Sequence, residues 1–121
     1  MTRAFATRLF ARWARKEGLT VVELRAVVGE IERGLVDADL GGGLVKKRVA
    51  RPGAGKRGGY RVILAVAVGS RVFFVEGFAK NERANLRDDE LAALRRLGKE
   101  LLGLDDKLLA VAVKVGKLEE V

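Results

Sequence analysis

The sequence contains no cysteine and no histidine. Without cysteine, the chain has no disulfide bond, no thiolate metal ligand and no cysteine nucleophile. Without histidine, it lacks the side chain that most often acts as a general base at neutral pH, and also the commonest protein ligand of zinc. Any acid–base chemistry must therefore depend on lysine, arginine, tyrosine or carboxylate side chains.

Acidic residues are missing from the whole stretch between Leu40 and Val75. The same stretch carries as many basic residues as the net charge of +8 of the entire chain. They are Lys46, Lys47, Arg48, Arg51, Lys56, Arg57, Arg61 and Arg71. Because a solvated surface normally mixes the two signs of charge, a stretch of one sign indicates a face that binds polyanions. Nucleic acid is the first candidate for that partner.

Long hydrophobic runs are absent as well. The longest one, Val62 to Val68, is far shorter than the roughly 20 residues that span a bilayer. The N-terminal residues lack the apolar core of a secretory signal, so we expect a cytoplasmic protein. With 49% hydrophobic and 33% charged residues, we expect residues 1–121 to fold as one domain around a single core.

Hydrophobic periodicity predicts two helices at the start of the chain. Residues 2–8 could be a short strand, but from Phe5 onward Phe5, Leu9 and Trp13 recur at helical spacing, and Gly18 is suited to a left-handed helix cap. Thr20 followed by Glu23 has the pattern of a capping box, so a second helix should begin there. Its buried stripe would be Leu24, Val28, Ile31 and Leu35. We expect the two helices to form an antiparallel hairpin.

A β section is predicted after the three glycines at positions 41–43. The expected strands are Leu44 to Arg51, Tyr60 to Val68 and Arg71 to Glu76, with a basic loop over residues 52–59. Gly69-Ser70 has the glycine where a type II′ hairpin turn needs it. A helix with a leucine stripe should begin at Asp88–Glu90, and the tail after Asp105 is expected to be helical. The predicted fold class is therefore α+β.

Two local patterns have ordinary structural explanations. Pro52-Gly-Ala-Gly-Lys56 departs from a phosphate-binding P-loop, because Ala50 and Arg57 stand where glycine and serine or threonine are needed. It is better interpreted as a hairpin loop. Acidic pairs and triplets occur at the expected ends of elements, where aspartate usually caps a helix, so we interpret them as caps rather than Mg²⁺ ligands.

Basic residues from separate parts of the sequence would converge if the predicted strands pair. Lys46 and Arg48 lie on one strand and Arg61 lies on the next, while Lys80 and Arg83 follow the last strand. A convergent set of cations indicates a binding site. The alternative is a solvated strand edge whose basic residues discourage aggregation.

The chain resembles the RelE/ParE superfamily of toxins from bacterial type II toxin–antitoxin systems, in particular its RelE- and HigB-like branches. The resemblance is carried by LGGGLVKKRVARPGAGKRGGYR, then RVFFVEGFAKNERANL, then a helix beginning DDELAAL. It extends over nearly the whole chain, and it includes FARWARKEGL and ERGLVDADLGGG. Its most specific parts are KKRVAR, GGYR and GFAKNERAN.

The resemblance implies a RelE-like α+β fold, with an N-terminal helical hairpin packed on a small antiparallel sheet and one or more C-terminal helices. It implies a toxin that a cognate antitoxin neutralises. Many RelE-like toxins cleave messenger RNA in the ribosomal A site and so inhibit translation, whereas ParE-like relatives poison DNA gyrase. We therefore expect a ribosome-dependent endoribonuclease, with a gyrase inhibitor or a non-catalytic RNA- or protein-binding module as the alternatives.

In the nucleases of this superfamily, basic residues on the central strands bind the scissile phosphate and help to activate the ribose 2′-hydroxyl, without a metal or another cofactor. Carried over by motif, the expected catalytic residues are Lys46, Arg48, Arg61, Lys80 and Arg83. Further basic residues expected to bind RNA are Lys47, Arg51, Lys56, Arg57 and Arg87. Lys46 would be the base if like charge on Lys47 and Arg48 favours its neutral form.

The chain departs from relatives in two places. Some RelE-type nucleases have a tyrosine shortly after the last strand, where this chain has Asn85-Leu86-Arg87, and HigB-type members use histidines. Arg87 would then stack on a base in the tyrosine's place. From the net charge of +8 we also expect an acidic antitoxin segment, which covers the face around Lys46, Arg48 and Arg61 or displaces the helix near Leu91–Leu102. The alternative is an antitoxin held mainly through apolar contacts in a groove between the helical hairpin and the sheet.

Overall fold

The computed structural model describes residues 2–51, 55–67, 69–83 and 85–121. Its elements in chain order are β1 (Arg3–Thr7), α1 (Arg8–Glu17), α2 (Val21–Glu32), β2 (Ala38–Gly41), β3 (Leu44–Arg51), β4 (Gly55–Ala67), β5 (Arg71–Ala79), α3 (Asp88–Leu102), α4 (Asp106–Lys114) and β6 (Leu118–Glu120). The strands form one sheet in the order β2-β3-β4-β5-β1-β6. The fold is α+β, as predicted.

The sheet is mixed rather than purely antiparallel, because β1 pairs parallel with β5. The N-terminus forms this strand instead of beginning the first helix. Phe5 is fully buried in β1 between the two layers of helices, and Leu9, which was expected on the buried stripe of α1, is 73% exposed. A strand covered on both faces is hydrophobic without alternation, so its sequence can be mistaken for part of a helix.

The predicted start of α2 is confirmed. The Thr20 hydroxyl accepts a hydrogen bond from the Glu23 N–H, and the Glu23 carboxylate accepts one from the Thr20 N–H. Gly18 ends α1 with a φ of +78°, a conformation that glycine adopts without a steric penalty. The buried residues of α2 include Leu24, Val28 and Ile31, but Leu35 lies beyond the helix and is half exposed.

Strand β3 has the predicted bounds, and the other strands differ from prediction. β4 begins at Gly55, so part of the expected loop is strand, and β5 continues to Ala79. In the turn between β4 and β5 the Ser70 N–H donates to the Ala67 carbonyl, so Gly69 is the third residue of this turn. A type II′ turn needs glycine at the second position, so the predicted turn type is wrong. Sequence reasoning missed β2 and β6, which have only four and three residues.

The helices cover both faces of the sheet. α1 and α2 pack on one side, called here the α1/α2 face, over a cluster that contains Phe10, Val62 and Phe74. α3 and the predicted α4 pack on the opposite side, the α3/α4 face, over a cluster that contains Phe5 and Phe73. No helix within the described ranges is long and apolar enough to cross a membrane.

Helix α3 lies close to the sheet because of a glycine. A Cβ added to Gly98 would be 3.1 Å from Leu44 Cδ2 and 3.2 Å from Ala65 Cβ, which is tighter than nearly all real Cβ contacts. Leu44 and Ala65 are partners across β3 and β4. The body of α3 therefore covers this part of the α3/α4 face. The residues that follow Leu44 in β3 and those that precede Ala65 in β4 lie beyond it, where the sheet carries polar side chains.

Candidate functional site

Strand pairing builds two rows of side chains on the α3/α4 face. In one row, Arg48 of β3 is opposite Arg61 of β4, which is opposite Phe78 of β5. In the next row, Lys46 is opposite Ile63, which is opposite Glu76. Directly paired residues share a face, and neighbouring strands are about 4.8 Å apart. The register therefore brings three predicted catalytic residues, Lys46, Arg48 and Arg61, onto one small area.

Glu76 reaches this face because of an irregularity in β5. The pairing with β4 shifts between Ile63, which is opposite Glu76, and Leu64, which is opposite Phe74. Val75 is thus an extra residue, and a bulge of this kind turns the side chains that follow it to the other face. Without the bulge, Glu76 would point towards α1 and α2. Sequence reasoning missed Glu76, because one extra residue in a strand leaves no mark in its hydrophobic pattern.

Arg61 is the most unusual cation of the site. Its residue exposure is only 7%, and its Nη1 donates one hydrogen bond, 3.3 Å long, to the Tyr60 carbonyl. Among the described residues no carboxylate forms an ion pair with it. A guanidinium has five N–H donors and a charge that is costly to remove from water. Arg61 therefore carries charge and hydrogen-bonding capacity that the surrounding described residues do not satisfy.

Arg48 is the exposed neighbour of Arg61 and has a carboxylate partner. Its Nε donates to Asp37 Oδ1 at 2.9 Å, and its backbone N–H donates to Asp37 Oδ2 at 2.6 Å. Partial burial raises the pKa of Asp37, but these hydrogen bonds and the nearby charges of Arg48 and Lys47 outweigh it, so the pKa lies below its ordinary value. Asp37 therefore holds Arg48 at the edge of the site through these hydrogen bonds.

Lys46 and Lys47 are separated by the alternation of the strand. Lys46 is half-buried on the α3/α4 face and lines a small cavity of about 180 Å³ beside Ile63, Phe78 and Leu86. Lys47 points to the α1/α2 face, is 4% exposed, and has its Nζ 3.7 Å from Glu30 Oε1 and 3.9 Å from Asp37 Oδ2. Lys47 therefore lies outside the group formed by Lys46, Arg48 and Arg61, and it does not crowd Lys46 as the sequence suggested.

Arg83 returns to the site from the segment after β5. Its guanidinium carbon lies 4.8 Å from the centre of the Phe78 ring. Its Nη1 is 2.6 Å from Glu90 Oε2, and its Nη2 is 3.6 Å from Glu76 Oε2. The backbone N–H of Arg87 and the Arg83 guanidinium both donate to Glu90 and lower the pKa of that carboxyl. Lys46, Arg48, Arg61 and Arg83 are called the basic cluster below.

The remaining predicted residues lie around or outside this cluster. Lys80 is exposed directly after β5, and its backbone N–H donates to the Gly59 carbonyl. Arg87 is exposed at the N-cap of α3, and its Nε donates to Asp89 Oδ1 at 3.1 Å. The side chains of Arg51, Lys56 and Arg57 lie outside the described part of the structure. Their expected contacts with RNA therefore stay predictions, as does that of Lys47.

The basic cluster combines features that suit an anionic ligand. Like charges placed directly opposite each other on two strands destabilise a sheet, so the Arg48–Arg61 pair is unfavourable for folding alone. Asp37, Glu76 and Glu90 hold Arg48 and Arg83, whereas no ion pair is found for Lys46 or Arg61 within residues 2–51, 55–67, 69–83 and 85–121. A phosphate is the simplest group that uses both a fork of N–H donors and a lysine charge.

Comparison with known proteins gives one result. A family model described as the RelE toxin of the RelE/RelB toxin–antitoxin system matches residues 2–121, which is nearly the whole chain. A search of curated proteins finds no match.

Proposed function

Because the chain belongs to the RelE toxin family, we propose that it is a ribosome-dependent messenger-RNA endoribonuclease whose active site is the basic cluster. Family membership makes the chain the toxin of a toxin–antitoxin system, with an antitoxin as its partner. The superfamily resemblance seen in the sequence and the RelE-like fold are thereby confirmed. The proposal adds the reaction and the residues that perform it.

The proposed reaction is attack of a ribose 2′-oxygen on the neighbouring phosphorus. The bond from phosphorus to the 5′-oxygen breaks, which leaves a 2′,3′-cyclic phosphate on one fragment and a 5′-hydroxyl on the other. The 2′-hydroxyl proton passes to a base, and the departing 5′-oxygen receives a proton from an acid. Negative charge grows on the two non-bridging phosphate oxygens in between. Cations held close to those oxygens therefore accelerate the reaction.

Arg61 supplies the central cation in this proposal. A phosphate beside Arg61 would accept hydrogen bonds from the N–H groups that the described residues leave unused. The low exposure of Arg61 would strengthen the electrostatic attraction between the guanidinium and the phosphate. Arg48, 49% exposed and directly opposite, would contact the same phosphate or the next one. Arg83 lies on the other side against Phe78, and in this proposal it would supply further charge or the proton to the departing oxygen.

Two groups on this face are candidates for the proton acceptor. Lys46 is the group that the sequence suggested, with its charged neighbour Arg48 two residues away on the same face. Glu76 offers a carboxylate one row from Arg61, held by Arg83 at 3.6 Å. A carboxylate is unprotonated at neutral pH without further help. The chain lacks the usual imidazole base, so alignment of the 2′-hydroxyl by the ribosome would supply part of the acceleration.

A single observation carries the proposal: Arg61 is an arginine of only 7% residue exposure that has no carboxylate partner among the described residues and is opposite another arginine across the sheet. Folding alone does not favour that arrangement. The binding of a polyanion does.

The test is inducible expression of the wild type and of Arg61→Ala, with mapping of RNA 5′ ends on ribosome-bound messages. We expect Arg61→Ala to cut about 100- to 1,000-fold more slowly, the loss that follows removal of one pre-organised donor to a developing anion. Arg12→Ala, on an exposed arginine of α1, is the matched control and should cut as fast as the wild type. Far-UV circular dichroism must show that both variants are folded.

Three results would contradict the proposal. If Arg61→Ala cut RNA as fast as the wild type, the basic cluster would not be the active site. If naked RNA were cut as fast as ribosome-bound RNA, the reaction would not depend on the ribosome. Double-strand DNA breaks with intact messages would replace the nuclease by a gyrase inhibitor.

A further inference from the structure

The ring of Trp13 occupies the space that a side chain at position 77 would fill. Trp13 belongs to α1, and Gly77 of β5 is opposite Val62 on the α1/α2 face of the sheet. A Cβ added to Gly77 would be no more than 2.7 Å from three carbons of the Trp13 ring, which is closer than real Cβ contacts. The ring therefore lies directly on the bare backbone of Gly77. Glycine inside a strand often marks such a close approach.

Helix α1 contacts β5 on both sides of the bulge at Val75. Phe10 stacks on Phe74, the residue before the bulge, with ring centres 5.0 Å apart. Trp13 follows about one turn later on α1 and covers Gly77, which comes after the bulge. A bulge leaves one residue unpaired and disrupts the ladder locally. Packing on both sides of it fixes the direction of the side chains that follow.

The backbone of Gly77 in turn holds Glu76. The Gly77 N–H donates to Glu76 Oε1 at 3.3 Å, and Arg83 Nη2 is 3.6 Å from Glu76 Oε2. Phe78, the next residue of β5, has the Arg83 guanidinium over its ring. A shift of the backbone at Gly77 would therefore move the carboxylate and the arginine together.

Trp13 also contacts the residue that precedes Arg61. Its ring meets the Tyr60 ring edge-on, with the two centres 5.3 Å apart. The Tyr60 hydroxyl donates to Glu17 Oε1 of α1 at 3.0 Å, and the Tyr60 carbonyl accepts the hydrogen bond from Arg61 Nη1. Trp13 thus lies behind both Arg61 and Glu76, on the opposite face of the sheet.

We propose that Trp13 is a positioning residue for the proposed active site. It holds β4 and β5 from behind, so that the basic cluster and Glu76 keep their places without any contact between Trp13 and RNA. The inference rests on the proposed function, because the groups that Trp13 positions are those of the proposed reaction. A displacement of about 1 Å in reacting groups can slow an enzyme about 100-fold. A tryptophan that only filled the core would affect the stability of the fold and nothing else.

The test compares Trp13→Leu with Leu24→Ala in the ribosome-dependent cleavage assay. Leu24 is a buried residue of α2 that lines a small cavity with Ala6 and Val121 rather than with residues of β4 or β5. Both substitutions remove apolar atoms from the same layer, so both should lower the melting temperature. Activities are therefore measured well below both melting transitions.

Under these conditions Trp13→Leu should lower kcat about 10- to 100-fold, because the groups that act on the reacting atoms are displaced. KM should change little, since Lys46 and Arg48 belong to β3 and still bind RNA in the proposed site. Leu24→Ala should keep the wild-type kcat. Trp13→Phe answers the same question if Trp13→Leu does not fold: the carbons nearest Gly77 belong to the six-membered ring of the indole, which the shorter phenylalanine does not place there.

Gly77→Ala gives a reciprocal test. In the wild type its methyl group would collide with the Trp13 ring, so cleavage should be slower. In the Trp13→Leu background the ring is gone and the methyl group fills part of its space, so the double variant should cut faster than Trp13→Leu alone. Such a change of sign indicates direct coupling between the two positions. Additive losses would overturn the inference.

A measurement on the folded protein separates this inference from the proposed reaction. The Nε–H signals of Arg61 and Arg83 in proton–nitrogen correlation spectra should move in Trp13→Leu and stay in place in Leu24→Ala. A wild-type kcat in Trp13→Leu, or equal losses of kcat in Trp13→Leu and Leu24→Ala, would overturn the inference. A wild type that cuts no RNA, with arginine signals that move only in Trp13→Leu, would contradict the nuclease and still support the placement of the cluster by Trp13.

Discussion

Lys47 and Arg61 are two nearly buried cations with opposite surroundings. Lys47 is 4% exposed and Arg61 is 7% exposed. Lys47 faces α2 with two carboxylates within 4 Å of its Nζ. Arg61 faces the other side of the sheet and has no ion-pair partner in the described part of the chain. The first environment compensates a buried charge with carboxylates, and the second does not. In the proposed function an external anion supplies the missing partner.

This difference suggests a rule for separating basic residues that stabilise the fold from those that serve the proposed function. A charge that is matched by local carboxylates contributes to a stable native state, provided that both partners remain. A charge that is left unmatched lowers stability, and proteins retain such residues mainly at functional sites. We therefore expect substitutions at the two positions to have opposite effects on stability and on activity.

The largest effect on stability is expected for Lys47→Met. Removal of the ammonium group takes away a buried charge that faces Glu30 and Asp37, so the free energy of unfolding should fall by about 2 kcal/mol. This estimate is below the usual cost of breaking a buried pair, because the distances are long and Arg48 still binds Asp37. If Lys47 serves only the fold, cleavage by the folded fraction should be unchanged, whereas slower cleavage would support the RNA contact that the sequence predicts for it. Urea denaturation followed by fluorescence measures the first quantity, and a cleavage assay measures the second.

The neighbouring residue gives the control for that prediction. Lys46→Met makes the same chemical change one position earlier, on the other face of the sheet, where no carboxylate partner is found among the described residues. It should slow cleavage and leave the unfolding free energy nearly unchanged. If Lys46→Met were the more destabilising of the two, the distinction between compensated and uncompensated cations would be wrong.

A smaller effect of opposite sign is expected for Arg61→Met. Methionine fills much of the same space without a charge, so the free energy of unfolding should rise by about 1 kcal/mol, while cleavage is lost. The measurement is again urea denaturation, with Arg12→Met as the control on an exposed surface. A marked decrease in stability would mean that Arg61 is compensated within the fold, and it would remove the main argument for its role.

The smallest effect concerns pH and Asp37, which pairs with Lys47 and also with Arg48, the residue opposite Arg61 in the sheet. Its folded pKa lies below its ordinary value, because the hydrogen bonds and cations outweigh partial burial. The carboxylate therefore stabilises the fold above about pH 4, and this contribution is lost as the pH falls through the folded pKa. Asp37→Asn should be less stable than the wild type at pH 7 and approach it at pH 3. An equal difference at both values would exclude this titration.

Much of the fold was predictable because its signals are local. The capping box of Thr20 and Glu23, the glycine that ends α1, the alternating residues of β3 and the acidic start of α3 each depend on neighbours within a few positions. The short strands β2 and β6 were missed because their hydrogen bonds come from distant partners. The parallel pairing of β1 was missed for the same reason, since a strand buried on both faces lacks alternation. A single domain over residues 1–121 stays a prediction.

The sequence by itself determined the family, the basic character of the central strands and the identity of the cations that could meet. It did so because motifs and charge runs consist of residues that are close to each other in the sequence. Only the tertiary structure decided that Lys46 and Lys47 point to opposite faces, that Arg48 is opposite Arg61, and that the bulge at Val75 adds Glu76 to them. Register, bulges and ion pairs depend on which strands lie side by side. Pairing of that kind is settled by the packing of the whole sheet rather than by any single segment.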